Sequence, residues 1–547
     1  MKKRMVSLIL ALVLCLALLP TAALAAEKNV WDGSTASTYA SGSGTQADPY
    51  QIATGAQLAY LASMVNSGEA YEDTYFVLTA DLDLNQVAWT PIGHAFSGAL
   101  LGGAEYYIFA GNFDGKSHTI SNLAIGTEEH PLEADVFGLF GAAAGSIKNL
   151  LLDTVSIHGV AATASGWAVG LAGALCGYAG ASIENCHVSN LSMTVDTSED
   201  SRAIAYWIGG LAGILNGGLT ISGCSVSGSI QEKSGKGSIG GFIGEIGAGA
   251  KVSYCGADVA VTVKKDYYGG ANAGGFIGKG NGDTTPDTCI SHCYAAGKVS
   301  GGAYTGGFAG GLQGLNIENC YAAGDVENAA AAMATFVGTD AAGAAGYGSV
   351  RNCFTTGTVL GSAPNVYAFA MQDGTKRSEF TNLYYVNYPE NLAAAKAQET
   401  AQAKSLEEMK TGAFADDLNA GNSANGWTAR EGDLPLCGAE PADYAAVDAA
   451  IAAANALNPG NYKDFSAVQA AIDAVIRGKR LSEQADVDAM AKAILDAIAA
   501  LEPAPSGEGD PLLPVTVPII GTSSFTDVPG SAYYKTAVDW AVSKGIA

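Results

Sequence analysis

Positive charge is what this 547-residue sequence has least of. Lysine and arginine number 28 against 53 acidic residues, a formal net charge of −25, and charged residues of either sign make up only 15%. Binding to nucleic acid or to an anionic lipid surface needs clustered Lys and Arg, so this balance argues against both partners. Histidine is scarce too: the six (94, 118, 130, 158, 187 and 292) never form His-Glu-x-x-His, which excludes the zincin signature. Long apolar runs are also lacking. The longest, Leu8 to Leu19, has 12 residues, short of the roughly 20 that a spanning helix needs. Lys2, Lys3 and Arg4 precede it, and Pro20 and Ala23-Leu24-Ala25 follow, the three-part pattern of a signal peptide over residues 1–26. The chain is therefore expected to be exported, with no membrane span.

What is abundant is glycine, 71 residues, in a chain that is 48% hydrophobic and so not disordered by composition. One phrase recurs: "TISNLAI" (119–125), "SIKNLLL" (146–152), "SIENCHV" (182–188), "TISGCSV" (220–226) and "KVSYCGA" (251–257), then "CISHCYA" (289–295), "NIENCYA" (316–322), "SVRNCFT" (349–355) and "EFTNLYY" (379–385). Its central column runs Leu123, Leu150, Cys186, Cys224, Cys255, Cys293, Cys320, Cys353 and Leu383, with a mean period of 32.5 residues. Three residues earlier sits an aliphatic residue in eight of nine rungs, and two residues later come Val188, Val226, Ala257, Ala295 and Ala322. A spacing of two marks a half-buried strand, while the step of three across the column implies a corner. Asn122, Asn149, Asn185, Asn319, Asn352 and Asn382 stand at that corner, where Asn tolerates a left-handed backbone and can bond its stacked neighbours. A second, Gly-rich phrase alternates with the first: "VFGLFG" (136–141), "VGLAG" (169–173), "GGLAG" (209–213), "GGFIG" (240–244 and 274–278) and "GGFAG" (306–310). Short strands joined by repeated corners describe a solenoid, read here as a right-handed parallel β-helix over 75–390. A β-propeller is the alternative, although its blades are longer and carry four strands each.

These phrases resemble the GLUG-motif family of bacterial surface proteins, named for Gly-Leu-x-Gly. The segments "GSGTQADPYQIATGAQLAYLASMVNSG" (42–68), "YFVLTADLDL" (75–84), "WTPIG" (89–93) and "GNFDGKSHTISNL" (111–123) carry the same resemblance, which spans about residues 42–436. It implies the β-helix fold and a surface or adhesin-like role. Residues 27–74, including a helix Gln57–Asn66, are expected to cap one end, and 391–440 to cap the other, because terminal coils otherwise leave unpaired edges.

Six cysteines share one column with leucine, which marks them as small packing residues rather than disulfide or metal ligands. Outward candidates are fewer. Four residues before the Leu/Phe of the Gly-rich phrase come Trp167, Trp207, Ser238, Asn272 and Tyr304, so Trp167, Trp207 and Tyr304 are candidates to line a strip on which sugar rings stack, with packing at a corner as the alternative. Asp81 and Asp83 are weak candidates for Ca²⁺, on the face of "VLTADLDL" opposite its leucines; a solvated strand face is the simpler reading. Neither a resident metal nor a cofactor is expected. Parallel β-helices also host polysaccharide lyases and glycoside hydrolases, and hydrolysis would need two carboxyls about 5–9.5 Å apart. Glu184 and Glu318 occupy matching places, but four coils apart.

After Pro441 the composition becomes Ala-rich. Helical periodicity over 443–457, 464–477 and 483–501 resembles a FIVAR-type three-helix module, spanning 441–503. A Pro/Gly linker covers 504–522. In the final segment, 523–547, Phe525, Asp527, Val528, Tyr533, Tyr534 and Trp540 resemble the opening of an S-layer homology module, which implies binding to a secondary cell-wall polysaccharide. The segment is about half the usual module length. The sequence thus reads as a secreted, wall-associated protein whose β-helix serves adhesion or glycan binding, its ligand an extracellular glycan or matrix protein. A polysaccharide lyase or glycoside hydrolase on the same scaffold is the alternative.

Overall fold

The computed structural model describes residues 30–502 except 96–105, 162, 165–166, 198–204, 267–269, 281–286, 328, 341–347, 372–377, 395–399, 421–425, 431, 439–441, 443 and 477–483. The signal peptide, the linker and the S-layer-like segment lie outside the described residues.

The repeated phrase winds into a parallel β-solenoid, as its spacing predicts. Its strands fall into a 22-stranded, a nine-stranded and a seven-stranded sheet, with pairing between successive coils parallel in each. One inward column of the largest sheet can be followed residue by residue. Phe113 pairs with Ile147, and the line continues through Ile183, Ile221, Val252, Ile290, Ile317 and Val350 to Phe380. From Phe113 to Val350 every member is buried. Each such side chain contributes about 1.5–3 kcal/mol on burial, so the column is a continuous source of stability along the coil axis.

The corner beside that column is built by left-handed residues. Asn149, Asn185, Asn319, Asn352 and Asn382 have φ between +51° and +55°, and Tyr254 and His292 take the same conformation in intervening coils. Their side chains form a ladder: Asn185 Nδ2 donates to Asn149 Oδ1 at 3.0 Å, and Asn382 Nδ2 to Asn352 Oδ1 at 3.0 Å. One rung differs from the sequence alignment. "TISNLAI" pairs with 151–157 rather than with "SIKNLLL", so Leu123 stacks on Val155 and Asn122 belongs to a second corner, with Thr154 and Asn190. The reason is that two corners of the coil use the same left-handed bend, and a local phrase does not say which one it occupies.

The Gly-rich phrase makes a different bend. In each coil a strand of the nine-stranded sheet, such as Ser238–Gly240, turns through Gly241-Phe242 into a strand of the seven-stranded sheet, Ile243–Ile246. The two strands meet backbone to backbone. A Cβ on Gly240 would lie 2.0 Å from Ile243 O, and one on Gly244 2.5 Å from Ile208 N in the preceding coil. Glycine is there because no side chain fits. At the apex Phe242, Phe276, Phe308, Phe336 and Phe369 stack face to face at 4.7–4.9 Å, fully buried in the core.

Helix α1 (Gly55–Val65) covers the first coils with Leu58, Leu61, Ala62 and Val65. It starts two residues before the expected Gln57, because Thr54 caps it by accepting from Gln57 N while Gln57 Oε1 accepts from Ala53 N at 2.8 Å. At the other end, α2 (Pro389–Ala394) buries Asn391, which donates to Gly357 O and Val386 O and accepts from Val359 N. The remainder of the expected cap is a strap. Helices α3 (Leu406–Met409) and α4 (Gly412–Asn419) bring Phe414 against Tyr384 and Phe354, and Trp427 against Phe354 and Tyr321. The segment thus runs back along the outer flank of the coils instead of only closing their end. Its docking explains Gly426, where a Cβ would meet the Asn319 amide at 2.3 Å.

Downstream, α5 (Ala445–Asn455), α6 (Ser466–Asp473) and α7 (Gln484–Ala499) match the three predicted helices. Val447, Val468, Val487 and Ile494 are fully buried, at least one on each helix.

Candidate functional site

The sugar-strip residues test how far the columns reach. The register is Val136, Leu171, Trp207, Ser238, Asn272, Tyr304, Ala332, Asn365. Trp167 is therefore not in the column; its backbone pairs antiparallel with Ala164. The coil equivalent of "GGLAG" is Gly173–Gly177, with Leu175 bonding to Leu211 O, four residues later than the phrase "VGLAG" suggests. Trp207 and Tyr304 do share the column, three rungs and about 14 Å apart, with Ser238 and Asn272 between them.

Trp207 stands at the mouth of the glycine seam. Across the mouth lies the outward row of the seven-stranded sheet: Tyr178, Ile214, Glu245, Lys279, Gly311 and Thr339. The Trp207 indole Nε1 donates to Glu245 Oε2 of the next coil, and Lys279 Nζ lies 3.3 Å from the same oxygen. Val136, Leu171, Tyr178 and Ile214 pack beside the indole. Glu245 is only 4% exposed. Burial pushes its carboxyl up, against the pull of Lys279 and the Trp207 hydrogen bond. The group therefore works as a latch tying the two lips of the seam. Tyr304 is half-buried and lies outside this cluster. Sequence reasoning could not find the latch, because Trp207 and Lys279 sit 38 and 34 residues from Glu245 on neighbouring coils, Trp207 on a different sheet.

The two aspartates have separate internal roles. Asp81 is exposed and accepts from His118 Nδ1 at 3.1 Å and Thr119 N at 2.9 Å; the His118 hydrogen bond holds its carboxyl below the usual range. Asp83, expected on the solvent face, is buried at 7% exposure and accepts from Asn85 N and Asn122 Nδ2. The strand breaks between Leu78 and Leu82, so the alternation that placed both carboxyls together does not continue through Asp81. Among the described residues no group of three or more His, Cys, Asp or Glu is arranged to hold a metal ion.

The cysteine column is a stack of free, buried thiols. Each sulfur sits against the backbone N–H of the coil before it: Cys224 Sγ accepts from Cys186 N at 3.3 Å, and the pattern repeats to Cys353. Each thiol in turn donates to the carbonyl two residues earlier, as Cys353 does to Arg351 O at 3.0 Å. Burial pushes the thiols of Cys186, Cys255 and Cys320 up, and that of Cys176 up to about 12. Enclosed and hydrogen-bonded to backbone on both sides, the column thiols are packing groups rather than accessible nucleophiles. Glu184 and Glu318 stand in one outward column with Ser222, Ser253 and Ser291 between them, about 19 Å apart. Phe525, Asp527, Val528, Tyr533, Tyr534 and Trp540 fall outside the described residues.

Comparison with known proteins agrees with this architecture. Residues 301–327 match the family described as the GLUG motif, a span covering the Tyr304 rung, the Phe308 apex and the Cys320 column. The chain is similar to halomucin of Haloquadratum walsbyi, with 32% identity over 203 residues. That match covers 36% of this chain and 2% of halomucin's length. Among solved structures, a Bacteroides ovatus protein provisionally assigned as an immunoglobulin A1 protease has a TM-score of 0.41 at 20% identity, covering 73% of this chain and 94% of that one. An IgA1 protease has a TM-score of 0.36 at 15% identity, covering 72% of this chain and 26% of that one. At these scores neither likeness bears on what this chain does.

Proposed function

We propose that this GLUG-containing chain is an exported surface protein whose β-solenoid binds an extracellular glycan or matrix protein without covalent chemistry. The carrying observation is the 203-residue similarity to halomucin, a surface protein, on a scaffold whose recurrent phrases are consumed by packing. Seam glycines, corner asparagines and column thiols hold the coils together, which leaves recognition to the outward rows. Tyr304 is the aromatic assigned to sugar contact, while Trp207 is bound into the latch. In this reading the Ala-rich helices are a spacer and the segment 523–547 contacts a secondary cell-wall polysaccharide. The test is an array of glycans and matrix proteins probed with the full mature chain. Retention on a defined set of ligands, unchanged in mass after incubation, is expected. A blank array, or the release of new reducing ends or unsaturated products, would overturn it.

A further inference from the structure

The chain is acidic, yet one corner is not. Residues Glu232 and Val263 close the paired part of two neighbouring strands, and Lys233 and Lys264 follow them at the same place on successive rungs. Backbone bonds fix this: Lys233 N donates to Val195 O at 3.2 Å and Lys264 N to Glu232 O at 3.0 Å. The two lysines therefore sit about one rung, roughly 4.8 Å, apart, where like charges oppose each other at a cost in stability. Lys265 continues the chain, and Lys236 follows Gly235, whose Cβ position would lie 3.0 Å from Lys264 O. Lys233, Lys264 and Lys265 are exposed and Lys236 half-buried.

The nearby acids do not neutralise the corner. Glu232 is turned inward, 2% exposed, and its oxygens are occupied by Ser234 N, Ser234 Oγ and Gly235 N. Among the described residues, Asp266, packed beside Gly235, and Asp196, one rung before Lys233, are the carboxylates that face the group. Four lysines against these two aspartates leave an excess of two positive charges among the described residues of the corner, on a chain of net −25. Elsewhere Lys116, Lys148, Lys279, Lys298, Lys404 and Lys463 each lie within 4 Å of a carboxylate oxygen. None of the four corner lysines does so among the described residues. Screening over about 8 Å at physiological salt lets this patch act on its own surroundings, separately from the remote acidity.

We propose that Lys233, Lys236, Lys264 and Lys265 form a binding site for an anionic glycan, a saccharide chain bearing carboxylate or sulfate groups. The inference rests on the glycan-binding reading above and gives it a ligand class. Lysines on successive rungs present cations at a fixed interval, which suits a polymer with a regularly spaced anion. Nucleic acid is disfavoured, since a duplex needs a longer basic stripe and the flanking surface repels it.

The full mature chain is titrated with heparin (sulfated), polygalacturonate (carboxylated), dextran (neutral) and a DNA duplex at 50 and 200 mM NaCl. Heparin or polygalacturonate binding that weakens with salt is expected, the stronger of the two naming the anion. Lys233→Gln/Lys264→Gln/Lys265→Gln should weaken it at least tenfold. Lys264→Glu, which places an opposite charge beside Lys233, should do likewise while leaving the melting temperature equal or higher, so that lost binding is not lost folding. Unchanged affinity in both variants, equal retention of dextran, or DNA bound as tightly as the glycans would overturn the site. Array binding to neutral glycans alone would sink the lysine site and leave the general reading standing, whereas a blank array would sink the general reading.

Discussion

The glycine seam and the asparagine corner are two ways of repeating a bend, and they fail differently. At the seam, backbones from two sheets touch, so Gly240 and Gly244 admit no substitute. At the corner the backbone needs only φ near +50°, and Asn, Tyr254 and His292 all occupy it, with Gly223 in another coil. One position is held by exclusion and the other by preference. The phrase that recurs through most coils is therefore the one with least room, its Gly240 column giving way to Ala334 and Tyr367 in the last two rungs, while the one with latitude drifts in sequence.

The sharpest way to break this contrast is Gly244→Val. It drives branched carbon into Ile208 N and Trp207 C, and a loss above about 4 kcal/mol is expected, enough to abolish a cooperative urea transition read by circular dichroism. A variant that unfolds at the wild-type urea midpoint would show that the seam has slack. At the corner, Asn319→Ala should cost only about 1–2 kcal/mol for the left-handed backbone, and Asn319→Gly less than half of that. Equal losses for the two would move the cost from the backbone to the side-chain ladder.

The smallest effect is electrostatic and has opposite signs in the two regions. Burial raises the Glu245 carboxyl, so above the ordinary 4.5 the folded state holds a proton that the unfolded chain has released; stability then falls as pH rises through that window. Asp153, at the second corner, is held below its ordinary 3.8 by the hydroxyl of Ser189. Its contribution is present above 3.8 and is lost as pH falls. Melting temperatures between pH 3 and 7 should show Glu245→Gln flattening the decline on the alkaline side, and Asp153→Asn flattening the one on the acid side. Parallel curves for wild type and both variants would remove the distinction.

Much of the coil was legible in sequence because its columns are local and repeated: Ile147 to Val350 pair in the predicted order, and the corner asparagines stand where their residue type suggests. Two alignments slipped for a physical reason. "TISNLAI" fits either left-handed corner, and "VGLAG" precedes the true seam residues, Gly173–Gly177, by four residues within a run of small side chains. What pattern could not show is which residues far apart in sequence the coils bring together. The Trp207–Glu245–Lys279 latch and the docking of Trp427, whose Nε1 donates to Asn352 O at 2.9 Å, depend on which rungs the solenoid makes adjacent. The lysine corner belongs to the same class: its residues were countable, but their opposition on neighbouring rungs exists only once the register is fixed.

The corner ladder also has a direction. Asn185 donates to Asn149, Asn149 to Asp114, Asn122 to Asp83 and Asn190 to Asp153, each time toward the coil synthesised earlier. A series of donors all pointing one way must start on a group that only accepts, and an ionised carboxylate is such a group. The aspartates at the N-terminal side are thus foundation stones. Each coil that carries a corner Asn in this series arrives with its amide donor facing an acceptor already in place, so these turns can be wound up from the N-terminal side one on the next.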